Sequence, residues 1–366
     1  MHIVIATGLY PPEIGGPATF AVFFEQGLKA RDISFVTVPF ARVRHLPNVV
    51  RHGAYLWNMV RAIRSDSIVL ALDPVSVGLP ALLAARLRRR PFYLRVGGDY
   101  AWEQAVQHWG FKGLPEEFSH KHVPSAGKIL VWVQSFVARR ARRVLVQSTY
   151  VASIVERWGI PADRITVIPN GVSLPRLPTR EDARREFGFG NEPVIVSAGR
   201  FVPWKGLRAV IGAFRSIQEA HPSARLVLAG DGPERDMLIA EHGEGLNIRF
   251  TGIVPKEKLF SLLRAADVFV LNTRYEGFSH QLLEAMAAGI PVVTTDIPAN
   301  TELAQNGETA LVVEWNDVPA IRDAIARLLR DRELANRIAQ RGQGHVARFT
   351  PERTFAETLK VLGIDL

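Results

Sequence analysis

Residues 194–206 read Val-Ile-Val-Ser-Ala-Gly-Arg-Phe-Val-Pro-Trp-Lys-Gly: a β-rich apolar run, a glycine-bearing loop with two cations, then a segment of helical spacing. Strand, loop and helix is the repeating unit of a parallel sheet, because parallel strands need a crossover connection and a helix supplies it. The same alternation runs outward from this stretch to both ends of the chain. Strands are expected at His2–Ala6, Ser34–Val38, Ile68–Leu72, Phe92–Val96 and Arg143–Val146 on the amino-terminal side. They are expected at Val194–Ser197, Arg225–Ala229, Ile248–Thr251, Val268–Leu271, Pro291–Thr294 and Ala310–Val313 on the other. The pattern is that of an α/β protein with two doubly wound sheets. A chain of 366 residues, 47% of them hydrophobic, is long for one core and comfortable for two. Ile168-Pro-Asn-Gly-Val172, followed by the proline-bearing Ser173–Pro178, suits a turn and a linker, so the boundary is expected at about 172–178.

The opening residues MHIVIATG lack the basic stretch of a secretory signal. The apolar region Ile68–Ala85 is interrupted by Asp73, Pro74 and Pro80, short of the roughly 20 apolar residues that a spanning helix needs. With no cysteine there is no disulfide, thiolate nucleophile or cysteine metal site, which fits a reducing compartment. A cytoplasmic location is expected. The net charge is +9, and all of the excess lies in residues 1–172, which hold 21 Lys and Arg against 11 Asp and Glu, while the rest holds 24 against 25. That half is expected to face something anionic. Between Trp102 and Phe136, Trp109, Phe111, Phe118 and Trp132 are interspersed among Lys and His, which predicts a covering lid or acceptor surface in preference to plain core.

Three stretches carry chemistry. In Tyr10-Pro-Pro-Glu-Ile-Gly-Gly-Pro17, Gly15 and Gly16 precede a helix expected near Ala18 and expose backbone N–H groups to an anion such as a diphosphate; a plain strand-to-helix turn reads equally well. In the loop after Val194–Ser197, Arg200 and Lys205, flanked by Gly199 and Gly206, suit the charge that collects on a departing nucleoside diphosphate. In Glu276-Gly-Phe-Ser-His-Gln-Leu-Leu-Glu284, a helix beginning near Ser279 puts Glu276 on the loop and Glu284 inside the helix. Gly277, Phe278 and Ser279 then offer N–H groups to a phosphate, and Glu284 can accept from a ribose diol.

These motifs resemble those of the group 1 retaining glycosyltransferases, family 4 of the sugar-enzyme classification. The resemblance spans nearly the whole chain and includes Ile165–Val172, Val227-Leu-Ala-Gly-Asp-Gly-Pro-Glu234, Phe250-Thr-Gly-Ile-Val254 and Glu284-Ala-Met-Ala-Ala-Gly-Ile-Pro-Val-Val293. It implies the GT-B fold, two Rossmann-like domains facing each other across a cleft, with residues 1–172 on the acceptor side and 173–349 binding the donor. It also implies that a last helix, at about 350–366, returns to the amino-terminal domain. Arg200 and Lys205 would bind the donor diphosphate, Glu276 would sit near the transferred sugar, Glu284 would hold the ribose, and backbone around Val254 would contact the base. Gly15 and Gly16 would close the phosphate end from the opposite domain. One departure stands out: many relatives carry a histidine in the loop after the fourth strand, where this chain reads Arg95-Val-Gly-Gly-Asp-Tyr-Ala-Trp-Glu103. Asp99 is the candidate to fill that place, with loop capping as its alternative role, and Glu103 is the second candidate.

The expected reaction moves a sugar from a UDP- or GDP-linked donor to a hydroxyl with retention, by front-side attack in which the leaving diphosphate takes the acceptor proton. No Asp-X-Asp triplet is present and the ten histidines lack the pairing of a zinc site, so neither a divalent metal nor another cofactor is expected. The acceptor is expected to be a lipid-linked or cell-surface glycan precursor, with peripheral attachment to an anionic inner membrane face through the basic domain. The motifs leave nucleic acid no role. A sugar nucleotide epimerase or a phosphorylase on the same double fold is the nearest alternative. A nicotinamide dehydrogenase lacks its Gly-X-Gly-X-X-Gly after the first strand, and a sugar-binding module would not require two cations at the diphosphate.

Overall fold

The first strand, β1 (His2–Thr7), pairs in parallel with β2 (Ser34–Pro39) on one side and β3 (Ser67–Ala71) on the other in a computed structural model that describes residues 1–13, 15–119, 121, 123–243 and 247–365. The sheet continues through β4 (Phe92–Val96), β5 (Val144–Val146) and β6 (Ile165–Val167) in the order β2-β1-β3-β4-β5-β6. A second sheet holds β7 (Val194–Ala198), β8 (Arg225–Ala229), β9 (Ile248–Gly252), β10 (Val268–Leu271), β11 (Val292–Thr295) and β12 (Leu311–Val313), in the order β12-β11-β10-β7-β8-β9. Every strand-to-strand pairing is parallel. The chain divides into two compact units: Met1–Asn170 with Pro351–Leu366, and Gly171–Thr350.

In each sheet the central strands bury both faces, as helices on both sides of a parallel sheet require. On one face of the first, Ile3, Ile5, Leu70 and Leu145 pack against Phe20, Phe24 and Leu28 of the helix Gly16–Lys29. The helix Pro351–Val361 adds Phe355 and Leu359 to this cluster. Phe355 comes so close that a side chain at Gly27 would begin 2.4 Å from its ring, which is why that helix position carries no Cβ. In the second unit alternate residues separate the same way: Ile195, Leu226 and Val270 face Val210 and Phe214, while Val194, Val196 and Phe269 face Leu282 and Met286.

The expected strands are present, with no end moved by more than one residue. β6 is an addition: three residues running straight into Ile168-Pro-Asn-Gly read as a turn, and only pairing with β5 makes them an edge strand. The aromatic segment after Trp102 is largely helical, with helices Tyr100–His108 and Ser125–Arg140. Trp102 is core, its Nε1 donating to the Gly113 carbonyl at 2.9 Å, whereas Trp132 is 58% exposed. His120 and His122 of that segment lie outside the described residues. No helix of the described residues is long and apolar enough to cross a membrane.

Asp267, buried at the start of β10, ties the second unit together. It accepts from the Val194 amide at 2.9 Å, from Arg180 at 2.8 Å and from Arg332 at 3.0 Å, with Arg184 at 3.4 Å. Burial alone would raise its carboxyl, but the Val194 N–H and the arginines outweigh it and hold it below its usual value of 3.8. The stability it contributes is therefore complete above that value and is lost as pH falls through the lower, folded-state value. Asp267→Ala strands three cations and is expected to cost the unit about 3–5 kcal/mol in urea unfolding near neutral pH.

Candidate functional site

In the second unit the chain leaves β7 toward β8 on one side, while β10 lies on the other, so the strand order reverses between β7 and β10. Ligands of doubly wound sheets bind outside the carboxyl ends of the strands at such a reversal. A concavity opens there, lined by Ser197, Gly199, Arg200, Phe201, Lys205 and Leu271 among others. Gly199 directly follows β7 at φ 141°, with Lys205 Nζ 3.7 Å and Gln281 3.8 Å from where its side chain would begin. A larger residue there would lie against both.

Lys205 closes the short turn Pro203–Lys205 and is only 8% exposed, and its ammonium pairs with the Glu276 carboxylate. The structure thus brings these two expected site residues into direct contact. Arg200 is exposed and has no ion pair among the described residues. Gly206 follows in the left-handed region at φ 48° and starts the helix Leu207–Ala220. A side chain there would begin 2.2 Å from Asn316 Oδ1 and 2.3 Å from Asn272 Nδ2.

Asn272 was missed by the sequence reading. Fully buried after β10, its Nδ2 donates to the Gly206 carbonyl and to Asn316 Oδ1, both at 2.8 Å, and its Oδ1 accepts from the Asn316 amide at 3.0 Å. It fixes the loop that carries Lys205. A polar residue directly after an apolar strand was the available signal, but such residues are common at strand ends.

Glu276 and Gly277 lie on the loop before the helix His280–Ala287 and are half-buried, whereas Phe278 is packed into the core. Ser279 is the N-cap, its Oγ accepting from the Leu282 amide at 3.2 Å. Glu284 lies in the helix, half-buried; burial pushes its carboxyl up, and Lys256 works against that. Val254 lies beyond the end of β9 and packs its side chain on the core.

In the first unit Gly15 precedes the helix Gly16–Lys29 in extended backbone, and a side chain at Gly16 would begin in open space. Asp99 is 3% exposed and caps the helix Tyr100–His108. Its Oδ1 accepts from the Trp102 amide and from Gln134 Nε2, both at 3.0 Å, and its Oδ2 from Trp158 Nε1 at 3.3 Å. Burial pushes its carboxyl up against these donors. Of the two roles open to Asp99, capping is the one its contacts fill. Glu103 is half-buried in the first turn of the same helix.

Known proteins agree with this architecture. The family profile described as Glycosyl transferases group 1 matches residues 179–345, and the one described as Glycosyl transferase 4-like domain matches residues 2–171. A protein of Mycobacterium tuberculosis named GDP-mannose-dependent alpha-(1-6)-phosphatidylinositol monomannoside mannosyltransferase is 30% identical over 360 residues, 91% of this chain and 90% of its own length. YtcC of Bacillus subtilis is 32% identical over 214 residues, so that match spans about half of each protein, 53% in both cases. The crystal structure of Anabaena Alr3699/HepE in complex with UDP superposes with a TM-score of 0.76 at 18% identity, over 99% of this chain and 100% of that one. Two parallel six-stranded sheets of this kind define the GT-B fold. The chain belongs to the group 1 glycosyltransferases.

Asn272→Ala removes three hydrogen bonds from a sealed position. The variant is expected to lose about 2–3 kcal/mol of unfolding free energy in urea titration.

Proposed function

We propose that this chain is a retaining glycosyltransferase that moves a sugar from a UDP- or GDP-linked donor to a hydroxyl of a lipid-linked or cell-surface glycan precursor, without a divalent metal or other cofactor. The observation that carries the reading is the Lys205–Glu276 pair beside Gly199 at the β7/β10 reversal. A buried ammonium needs an anion, and a diphosphate oxygen at Nζ is a better one than a carboxylate alone. Such an exchange releases Glu276 to accept from hydroxyls of the transferred sugar. Arg200, exposed and without an ion pair among the described residues, adds a second cation. Glu284, whose carboxyl is raised by burial and whose side chain has no hydrogen-bond partner among the described residues, accepts from a ribose diol. The base lies toward the backbone near Val254.

In the reaction the bond from the anomeric carbon to the diphosphate oxygen breaks, the acceptor oxygen bonds from the same face, and its proton passes to the departing diphosphate. Lys205, Arg200 and the N–H groups at Gly277, Phe278 and Ser279 stabilise the charge that develops, about 3–4 kcal/mol for one well-placed group. The names of similar proteins support both donor classes: one is GDP-mannose-dependent, and another structure contains UDP.

The acceptor reading rests on the first unit's surface. Helices Asn48–Ala62, Gly78–Leu87 and Ser125–Arg140 pack side by side. They expose Trp57, Leu87, Ile129 and Trp132, at 58–71%, among Arg86, Arg88, Lys128 and Arg140. Trp132 stacks on Phe136 at 4.8 Å, with the Arg140 guanidinium 3.6 Å from that ring's centre. Exposed apolar side chains on helices that also expose cations suit an anionic bilayer, where each nearby Lys or Arg contributes about 1 kcal/mol. Nucleic acid has no part in this reading.

Calorimetric titration with UDP, GDP and ADP is expected to show binding of UDP or GDP that is unchanged by EDTA; binding of neither sinks the donor assignment. Lys205→Ala is expected to lower turnover by about a hundredfold or more with the fold intact by circular dichroism; normal turnover removes Lys205 from the reaction. Vesicles containing anionic phosphatidylglycerol are expected to retain the protein at low salt and to lose Trp132→Glu, and vesicles that fail to retain the wild type exclude the membrane.

A further inference from the structure

The first sheet has a strand-order reversal of its own, between β1 and β3, where the chain leaves β1 toward β2 while β3 lies on the other side. The residues that follow these two strands meet there. Gly8 comes directly after β1, and a side chain at that position would begin 2.5 Å from Asp73 Oδ2. Asp73 follows β3, and a side chain at Gly78 would begin 2.6 Å from its carbonyl. Two glycines therefore make room for this one aspartate.

We propose that Asp73 is the acceptor-positioning residue of this chain, its Oδ2 accepting hydrogen bonds from hydroxyls of a neutral sugar ring; the inference rests on the glycosyltransferase reading and names a contact for its acceptor. Its two oxygens do different work. Oδ1 accepts from the amides of Val75 at 2.8 Å, Ser76 at 2.6 Å and Val77 at 3.4 Å, which shapes the turn after β3. Oδ2 has no hydrogen-bond partner among the described residues, and the residue keeps part of its surface open to solvent. The turn needs only an acceptor at Oδ1, which an asparagine would also supply. A second, charged oxygen held at a ligand-binding reversal has no structural use.

Nor is the charge neutralised from within. No Lys, Arg or His forms an ion pair with Asp73 among the described residues. Arg44 spends its guanidinium on the Gly8 carbonyl, at 2.8 Å, and on Glu13. The other groups around the site are Tyr55, with Arg42 near it, and Tyr100, with Ser76 hydrogen-bonded to it and with Arg51 and Glu103 near its ring. Both tyrosines are raised above 10 by burial and stay neutral, so of Tyr55, Tyr100 and Asp73 it is Asp73 that titrates near neutrality. Burial outweighs the three amide donors and pushes its carboxyl up to about 6. A lone carboxylate oxygen with neutral phenols around it accepts from hydroxyls and repels phosphate. That polarity selects a sugar hydroxyl, not the phosphate of a lipid-linked acceptor.

The test compares the full-length wild type with Asp73→Asn, using methyl α-mannoside and methyl α-glucoside as probes in saturation-transfer NMR at pH 7.5. The wild type is expected to bind at least one glycoside, to weaken as pH falls through about 6 where Asp73 gains its proton, and to be indifferent to inorganic phosphate. Asp73→Asn is expected to bind about tenfold more weakly or worse, as the loss of a charge-assisted hydrogen bond implies, and to lose the pH dependence. Its melting temperature at pH 7.5 should be unchanged or higher, because a desolvated charge is removed while Oδ1 is kept. Equal glycoside binding by the two proteins, no glycoside binding by the wild type, or competition by phosphate overturns the assignment. Parallel titration with UDP and GDP separates the two readings: if neither nucleotide binds, the donor reading falls while the glycoside comparison still decides Asp73.

Discussion

Each sheet depends on one pairing between strands that are not consecutive, β1 with β3 and β7 with β10. Parallel strands require a helix between them, and right-handed crossovers that set out in opposite directions from one strand put helices on both faces. The carboxyl end of that strand and of its neighbour are then left uncovered. Gly8 and Asp73 occupy this position in the first unit, and Gly199, Arg200 and the Asn272 loop occupy it in the second. The chemistry of the chain collects where backbone topology leaves a gap.

At the second of these gaps, conformational freedom and polarity are tightly constrained. Lys205 is presented by a turn that needs a left-handed residue at Gly206, and that position touches Asn272 and Asn316 too closely for any side chain. Asn272 in turn spends its amide on holding those neighbours together. Farther down the same strand, Asp267 anchors β10 to β7 through the Val194 amide. A cation whose backbone is fixed in this way loses little entropy when it meets an anion, which is the condition for electrostatic preorganisation.

Asp73 and Asp99 show how the same residue type divides into different roles. Burial raises both carboxyls. Asp99 uses both oxygens on donors from its own unit, two of them side chains contributed by residues 35 and 59 positions away, and is thereby a cap. Asp73 satisfies one oxygen locally, and the other has no partner among the described residues. The distinction lies in which donors converge on the carboxylate, and residue type alone does not carry it.

The sequence by itself determined the alternation of strands and helices, the two sheets and the three loops at strand ends, because these follow from local apolar patterning and from glycine placed before helices; the family came from the resemblance of its motifs, in their order and spacing, to those of known glycosyltransferases. The helix start near Ser279 was legible from the same local patterning, and the structure adds that this serine caps the helix by accepting from the Leu282 amide. Tertiary structure alone decided that Lys205 and Glu276, 71 residues apart, form a pair, that Asn272 fixes the loop that carries Lys205, and that Ile165–Val167 is a strand. It also decided that Asp73, read in the sequence as an interruption of an apolar run, keeps one carboxylate oxygen to spare. Those outcomes depend on contacts between residues distant in the chain, whose partners and desolvation no local pattern encodes.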